Sequence, residues 1–409
     1  MHQLKNRGRV AQWSYATLVA ACSFVSANIA HAAYTWHDVQ FGGFASQGYL
    51  DSSANDYLGK TEDGTFDFRE YGANASWSSG PWRIGGQVFG EKLGQYGDDK
   101  LKLDWATLDY QPTQYFGIRV GRVKMPRGLY NEALDLDAVR PYVLLPQSVY
   151  DARLRDFNAA FNGAMIFGNI EAHQVGSFDY RIFYGHMPLT TDSGASDYFN
   201  NDATVPVKRI HIKGVPGGAL YWNTPVNGLR FAYSYSAFEH MNSHREGLFA
   251  GVGEVSIDKY AKVYERHLWS AEYVVGNWTL ASEYGREHTV YNILMPMLGD
   301  VADYNVNSKY YYFALSRRIN SWLELGTYYS HSHDEQDALT AATPTFPHLK
   351  QGDYALSARF DINEHMLFKL EGHYMNGSGK IFDTLADPQP IQNRDNSWTM
   401  FAAKVSFIF

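Results

Sequence analysis

The sequence has 409 residues, 45% of them hydrophobic and 16% aromatic, and a formal net charge of −8. The high aromatic content and the lack of low-complexity runs exclude a disordered chain, and no repeat with the period of a solenoid is present. The acidic balance argues against nucleic acid as a partner, because proteins that bind it carry a basic surface.

Residues 1–32 have the pattern of a secretory signal peptide. Three basic residues precede the apolar stretch from Ala16 to Ile29, and small residues lead to a predicted cleavage site after Ala32. Removal of this segment takes away three of the 35 basic residues and none of the 43 acidic ones, which leaves a net charge of −11. The one cysteine, Cys22, leaves with it, although a lipoprotein site at Cys22 is an alternative. We expect a mature chain, 33–409, that forms one domain without disulfides.

Apolar and polar residues alternate along most of the mature chain. Met366, Phe368 and Leu370 share one face of such a segment, and Lys369 and Glu371 share the other. A period of two with one polar face predicts a half-buried β-strand, and no apolar run after the signal is long enough to cross a bilayer as a helix. The same pattern predicts sixteen strands, near 37–50, 64–77, 81–90, 101–111, 115–125, 158–168, 177–187, 206–223, 228–238, 260–275, 277–287, 306–319, 321–331, 351–363, 365–376 and 395–409.

The connections between these predicted strands alternate between short and long. Short ones include 276–277, whereas long ones such as 239–259 and 288–305 are rich in polar residues and are predicted to be exposed tips. A bacterial outer-membrane barrel keeps short turns at its periplasmic end and long loops outside, and a soluble sandwich has no reason to do so. We therefore predict an all-β fold: a transmembrane antiparallel β-barrel of sixteen strands that closes by pairing its last strand with its first.

In a barrel of this size the polar strand faces line an aqueous interior. Acids and bases share this predicted wall, and any one of them is more readily explained as the partner of its neighbour across the sheet. As a set they predict a water-filled, charged lumen. The predicted lumenal residues are Arg83, Asp104, Arg181, Arg230, Arg266, Glu272, Arg318, Arg359, Lys369 and Glu371.

The longest connection, 126–157, is too apolar to lie in water, and a loop of this length in a compact fold is usually functional. We predict that it folds into the barrel as a constriction, where opposed charges favour polar or charged solutes and arginine and lysine give a bias toward anions. A loop that closes the pore is the alternative. The predicted constriction residues are Arg119, Arg122, Lys124, Arg127, Glu132, Asp135, Asp137, Arg140, Asp151, Arg153 and Arg155.

The alternation of inward-facing and outward-facing residues breaks in the predicted strand just before this loop. Ile118 and Val120 share a face with Arg122 and Lys124, which cannot all point into lipid at mid-depth. A β-bulge near Gly121 that turns the two cations inward is therefore expected.

The segment Gly117–Tyr130, GIRVGRVKMPRGLY, followed by Leu145–Tyr150, LPQSVY, resembles the same region of Gram-negative porins grouped with the phosphate-selective porins. The resemblance implies a homotrimer that passes solutes passively and a terminal Phe409 that the outer-membrane assembly machinery reads. The chain departs from the phosphate-selective type because it lacks a dense ladder of lysine and arginine.

The expected function is therefore that of an outer-membrane porin for passive diffusion of small hydrophilic solutes or ions, in contact with outer-membrane lipid and lipopolysaccharide. No cofactor, metal or catalytic residue is predicted. One alternative is a barrel enzyme of the lipase or protease type, for which His331 and His333 are the candidate catalytic cluster. The same two histidines could also bind a metal. Another alternative is a plugged barrel with a structural or adhesive role.

Overall fold

A computed structural model describes residues 34–200, 205–249, 253–295, 299–336, 350–384 and 386–409. The predicted signal peptide and its cleavage site lie outside these residues and stay predictions. Within the described ranges, no helix is both long enough and apolar enough to cross a membrane.

The described residues form eighteen strands: β1 Tyr34–Trp36, β2 Val39–Ser52, β3 Phe68–Ser79, β4 Trp82–Leu93, β5 Lys102–Thr113, β6 Phe116–Lys124, β7 Ala160–Glu171, β8 Ser177–Met187, β9 Val207–Asn223, β10 Leu229–Ala237, β11 Asn242–Phe249, β12 Gly253–Val275, β13 Trp278–Met295, β14 Gly299–Arg318, β15 Leu323–Gln336, β16 Lys350–Asp361, β17 Met366–Gly377 and β18 Ser397–Ile408. They also form two short α-helices, α1 Arg155–Asn158 and α2 Gly194–Asn200, and 3₁₀ turns at Asn131–Ala133, Asp137–Val139, Ala152–Leu154, His173–Val175 and Ile391–Asn393.

Sixteen of these strands, β2–β10 and β12–β18, pair in antiparallel order around a closed ring. β18 returns to β2, with Met400 opposite Ser52 and Ile408 opposite Phe44. The short β1 pairs with the start of β2, and β11 is an arm that pairs with β9 and β12 near the long loops. The predicted fold class, an all-β closed antiparallel barrel of sixteen strands, is confirmed.

The wall alternates as the sequence predicts. In β18, Phe401 is 44% exposed on the outside, whereas Lys404 is 1% exposed on the inside. The connection between β6 and β7 and residues 188–200 after β8 fold into the barrel and pack together, with the Phe157 and Phe199 rings 5.3 Å apart. As a result many polar wall residues are buried.

Two predictions about the connections are wrong. The segment 288–305 is not a loop, since β13 runs to Met295 and β14 begins at Gly299. The segment 239–259 is not an exposed loop either, because it contains β11 and the start of β12, and Met241 and Ile257 are buried. In both cases apolar side chains in an otherwise polar segment find a buried apolar cluster inside the barrel.

The predicted bulge at Gly121 is also wrong. The pairing of β6 with β7 runs without a break from Gly117 to Lys124, although Gly121 adopts a positive φ of 124°. One register shift lies between Tyr110 and Thr113 of β5 in its pairing with β6. Another lies between β4 and β5, where Gln87 is opposite Trp105 and Val88 is opposite Leu103. Asp104 is the extra residue at this bulge.

The barrel has one side with much longer strands. β12, β13 and β14 contain 23, 18 and 20 residues, whereas β6 contains 9. The additional residues lie at the ends of these strands away from the turns 276–277 and 319–322, on the side of β11.

Candidate channel lining

The segment between β6 and β7, residues 125–159, crosses the interior of the barrel and is called the crossing loop below. Its Tyr142 hydroxyl lies 3.3 Å from the backbone oxygens of Leu315 on β14 and Thr327 on β15, close enough to donate to either. These strands lie almost opposite β6 and β7 in the ring of sixteen. The crossing loop therefore spans the lumen from wall to wall.

Where the crossing loop leaves β6, two acids and two bases form a compact group that we call the Asp135 cluster. Arg155 Nη2 lies 2.6 Å from Asp135 and 2.8 Å from Asp104, and Lys124 Nζ lies 2.7 Å from Asp135. Gln87 donates to both carboxylates, at 3.0 and 2.8 Å. Burial by itself raises the pKa of Asp135, but Arg155 and Lys124 outweigh burial and hold that pKa well below its usual value. The two acids and two bases of the Asp135 cluster thus balance each other's charge.

On the far wall, β18 binds the Asp137 carboxylate of the crossing loop. Lys404 Nζ lies 2.8 Å away and the Ser406 hydroxyl donates at 2.6 Å, while Arg140 of the loop itself lies at 3.1 Å. Burial raises the pKa of Asp137, yet the neighbouring cations lower it well below the usual range. Asp137 is therefore held ionised in the interior.

The backbone of the crossing loop is bound by side chains of β16 and β17. Lys369 donates to two loop carbonyls, at 2.8 and 2.9 Å, and Arg359 donates to a third. Glu371 accepts the N–H groups of Val143 and Leu144, each at 2.9 Å. Because buried backbone groups are costly when unpaired, these three side chains fix the loop tip to the wall.

Glu371 belongs to a second set of contacts beneath the loop tip. His373 lies two residues further along β17, and its Nε2 is 3.0 Å from Glu371. The Nδ1 of the same ring is 3.0 Å from Asp353 on β16. All three side chains are buried, so the imidazole lies between two carboxylates away from solvent.

A third wall carboxylate, Glu283 of β13, binds the base of the crossing loop. It accepts the backbone N–H of Leu129 at 3.0 Å and the Tyr150 hydroxyl at 2.5 Å. The Ser270 and Tyr312 hydroxyls of the wall also donate hydrogen bonds to Glu283, at 2.5 and 3.0 Å. Four donors on one carboxylate stabilise its buried charge.

Arg153 connects the crossing loop with two of the long connections. It pairs with Asp151 at 2.8 Å and donates to the carbonyl of Lys380 at 2.7 Å. Its guanidinium lies 4.9 Å from the ring of Tyr57 and 3.7 Å from that of Phe382. The segments 53–67 and 378–396 are thereby held over the crossing loop.

Toward the short turns, the interior wall carries ion pairs whose arginines are partly exposed. The side chains of Arg181 and Glu132, which are in contact, are 21% and 24% exposed. The other pairs are Arg119 with Asp109 at 2.7 Å, Arg230 with Glu272 at 2.8 Å, and Arg318 with Glu324 at 3.2 Å.

A narrow gap separates the crossing loop from the wall formed by β3 and β4. It is a cavity of about 60 Å³ whose charged lining includes Glu70, Glu91, Arg140 and Arg155. A cavity of this size has room for a few water molecules. Glu70 was absent from the predicted lumenal set, although alternation in β3 places it on the inner face.

The predicted constriction residues therefore divide into two groups. Six are buried and paired inside the protein: Arg127, Asp135, Asp137, Arg140, Asp151 and Arg153. Five are partly exposed: Arg119, Arg122, Lys124, Glu132 and Arg155. Among the predicted lumenal residues, Arg83 is partly exposed, whereas Arg266 is buried between the rings of Phe157 and Phe238, at 4.7 and 4.5 Å.

No family model and no curated protein matches this sequence. Solved structures do match. Salmonella typhi OmpF in complex with daunomycin aligns with a TM-score of 0.55 at 13% identity, covering 92% of this chain and 99% of that one. An anion-selective porin from Comamonas acidovorans gives 0.51 at 13%, covering 91% and 99%. OmpT of Vibrio cholerae in its trimer form, an outer-membrane protein, gives 0.54 at 12%, with the same coverage.

What is shared is the porin barrel fold. Identities this low show nothing finer, so the resemblance to the phosphate-selective group stays a prediction.

Proposed function

We propose that this chain is a channel of the Gram-negative outer membrane, through which small hydrophilic solutes or ions diffuse passively. The observation that carries the proposal is a closed barrel with an apolar outside and a charged inside, crossed by a loop bound to both walls. Lipid requires every backbone group of a spanning strand to be paired, which closure provides. Fold similarity to an anion-selective porin supports the proposal.

We further propose that the chain assembles as a homotrimer in contact with lipid and lipopolysaccharide, and that the assembly machinery reads Phe409. Support for the trimer comes from the trimer form of the fold neighbour OmpT. Chemical cross-linking followed by electrophoresis without heating tests it, with a band at three times the monomer mass as the expected result.

Charge selectivity is proposed to come from the partly exposed residues rather than from the whole predicted set. Charges that are buried and paired within the protein have little effect on a passing ion. Arg119, Arg181 and Arg230 lie near the short-turn end of the wall, and this arrangement favours a bias toward anions.

A closed barrel with a structural role is the second candidate, because the gap beside the crossing loop is narrow and the loop charges are balanced. A barrel enzyme is the third candidate, for which His331 and His333 of β15 are the predicted cluster.

Reconstitution of the purified protein into planar bilayers tests these candidates. The channel proposal expects stepwise currents of uniform size. Silence across a range of voltages would favour the closed barrel, and hydrolysis of lipid or peptide by the same preparation would favour the enzyme.

A further inference from the structure

The contacts beneath the tip of the crossing loop determine the charge of a buried histidine. His373 Nδ1 lies 3.0 Å from Asp353, and Nε2 lies 3.0 Å from Glu371. In a neutral imidazole one ring nitrogen carries a lone pair and no proton. That lone pair would face a carboxylate at close range and repel it. With a proton on each nitrogen, both contacts become attractive, so the geometry favours the imidazolium form, although the Nε2 contact with Glu371 is close without the alignment of a hydrogen bond.

The same three groups make the contacts that fix the loop tip. Both oxygens of Glu371 accept loop N–H groups, from Val143 and Leu144. On the other side, Asp353 accepts the hydroxyl of Tyr328 at 3.2 Å. The Tyr328 ring packs edge-on against Tyr142 of the crossing loop, with centroids 5.2 Å apart. The two carboxylates therefore reach residues 142–144 by two routes, one through the backbone and one through an aromatic pair.

Loss of the charge on His373 would affect both routes. Asp353 and Glu371 would then be buried anions without a cation between them, and burial of an uncompensated charge is strongly unfavourable. One carboxylate would take up a proton or turn toward water. In either case Glu371 would bind the loop N–H groups less firmly, or Asp353 would bind the Tyr328 hydroxyl less firmly.

We propose that Asp353, His373 and Glu371 form a buried, charged clamp that positions the tip of the crossing loop, with His373 as a permanent imidazolium. His373 and Asp353 make no hydrogen bond to the loop themselves and are positioning residues that act through Glu371 and Tyr328. Under the proposed channel function, this clamp sets the width of the constriction, and that consequence rests on the proposed function. The clamp itself does not.

Nuclear magnetic resonance of ¹⁵N-labelled histidine side chains tests the charge state in the unmodified protein. The chain has 15 histidines, so the His373 signal is assigned as the one missing from His373→Gln. The expected result is a proton on both ring nitrogens at neutral pH. A neutral tautomer at His373 would overturn the proposal.

A nitroxide label on the crossing loop tests the clamp without any current measurement. Leu136→Cys offers an exposed site, and the one native cysteine, Cys22, lies in the predicted signal peptide. Asp353→Asn is expected to make the label more mobile, although Asp353 makes no hydrogen bond to the crossing loop. Asp353→Glu keeps the charge and should restore the immobile spectrum.

Glu324→Gln is the matched control. Glu324 is a buried interior carboxylate of β15 whose partners, Arg318 and Ser316, belong to β14. Its replacement should leave the label unchanged. An equally immobile label in Asp353→Asn, or an equal loss of order in Glu324→Gln, would contradict the clamp. A channel that never conducts would refute the proposed function while leaving both of these results intact.

Discussion

At the scale of single residues, the ion pair of Arg153 with Asp151 offers a direct measure of how firmly the long connections are held. Arg153→Met leaves the buried Asp151 with only the more distant Lys380, at 3.9 Å, and breaking a buried pair in this way costs about 3–5 kcal/mol. We expect a lower midpoint of thermal unfolding and faster proteolysis within 53–67 and 378–396. The control is Lys262→Met, which removes a half-exposed pair with Asp303 and should cost about 0–1 kcal/mol. Equal effects of the two variants would contradict the prediction.

A second residue-scale prediction concerns pH. Burial, together with the nearby Asp56, raises the pKa of Asp387 to about 6. Because this value lies above the roughly 3.9 of an unfolded aspartate, the folded loop binds the proton more tightly. The stabilisation is complete below about pH 4 and is lost as pH rises through 6. A spin label at Ala386→Cys should be more mobile at pH 7.5 than at pH 4.5. Asp387→Asn should remove this dependence, and a label insensitive to pH in the parent would refute the prediction.

The interior residues show what alternation can and cannot predict. Asp104 and Asp109 are an odd number of positions apart, so strict alternation allows only one of them to face inward. The bulge at Asp104 lets both face inward, and Asp109 pairs there with Arg119. The position of a bulge depends on the neighbouring strand, which local sequence does not contain. Lys369 and Glu371, by contrast, lie in a regular part of β17, where both are buried and alternation alone places them on the same face.

At the scale of elements, the junction of β18 and β2, called the seam below, ends in one close contact. Phe409 exchanges backbone hydrogen bonds with Gly43 at 2.8 and 3.0 Å, and a Cβ at Gly43 would lie 2.3 Å from the Phe409 ring. Gly43→Val should therefore destabilise the barrel by about 1–3 kcal/mol, as overpacking does. Electrophoretic mobility before and after heating measures the folded fraction.

The control for the seam is Gly372→Val in β17. A Cβ at Gly372 meets nothing within 4 Å, so this variant carries the same β-branched side chain without the clash. If both variants fold equally well, the terminal ring does not close the seam in the way we describe.

The strands themselves were the most predictable elements, since all sixteen appear where alternation placed them. The connections were less predictable. Residues 288–305 contain aspartate, asparagine and glycine and look like a loop, yet Tyr291 and Ile293 are buried in the apolar cluster inside the barrel. A segment's own composition predicts solvent exposure, whereas its burial depends on the elements that surround it.

At the scale of the whole molecule, the balance of interior charge should determine which ions pass. Arg181 is partly exposed inside the barrel, and Arg181→Glu adds a negative charge beside Glu132. We expect the reversal potential under a salt gradient to shift toward cation preference. Arg317→Glu is the control, because Arg317 is exposed and lies over Trp278, with its guanidinium 4.8 Å from the ring. An equal shift in both variants would mean that Arg181 does not line the route of the ions.

The unequal strand lengths make the rim of the barrel asymmetric at the end where the long strands extend. A tilted strand needs about 9–11 residues to cross a membrane, so β12 and β14, with 23 and 20 residues, continue far beyond the surface. β6, with 9 residues, barely spans it. The rim is therefore high on one flank and low on the other. In the proposed channel, a solute therefore reaches the entrance more directly from the low flank.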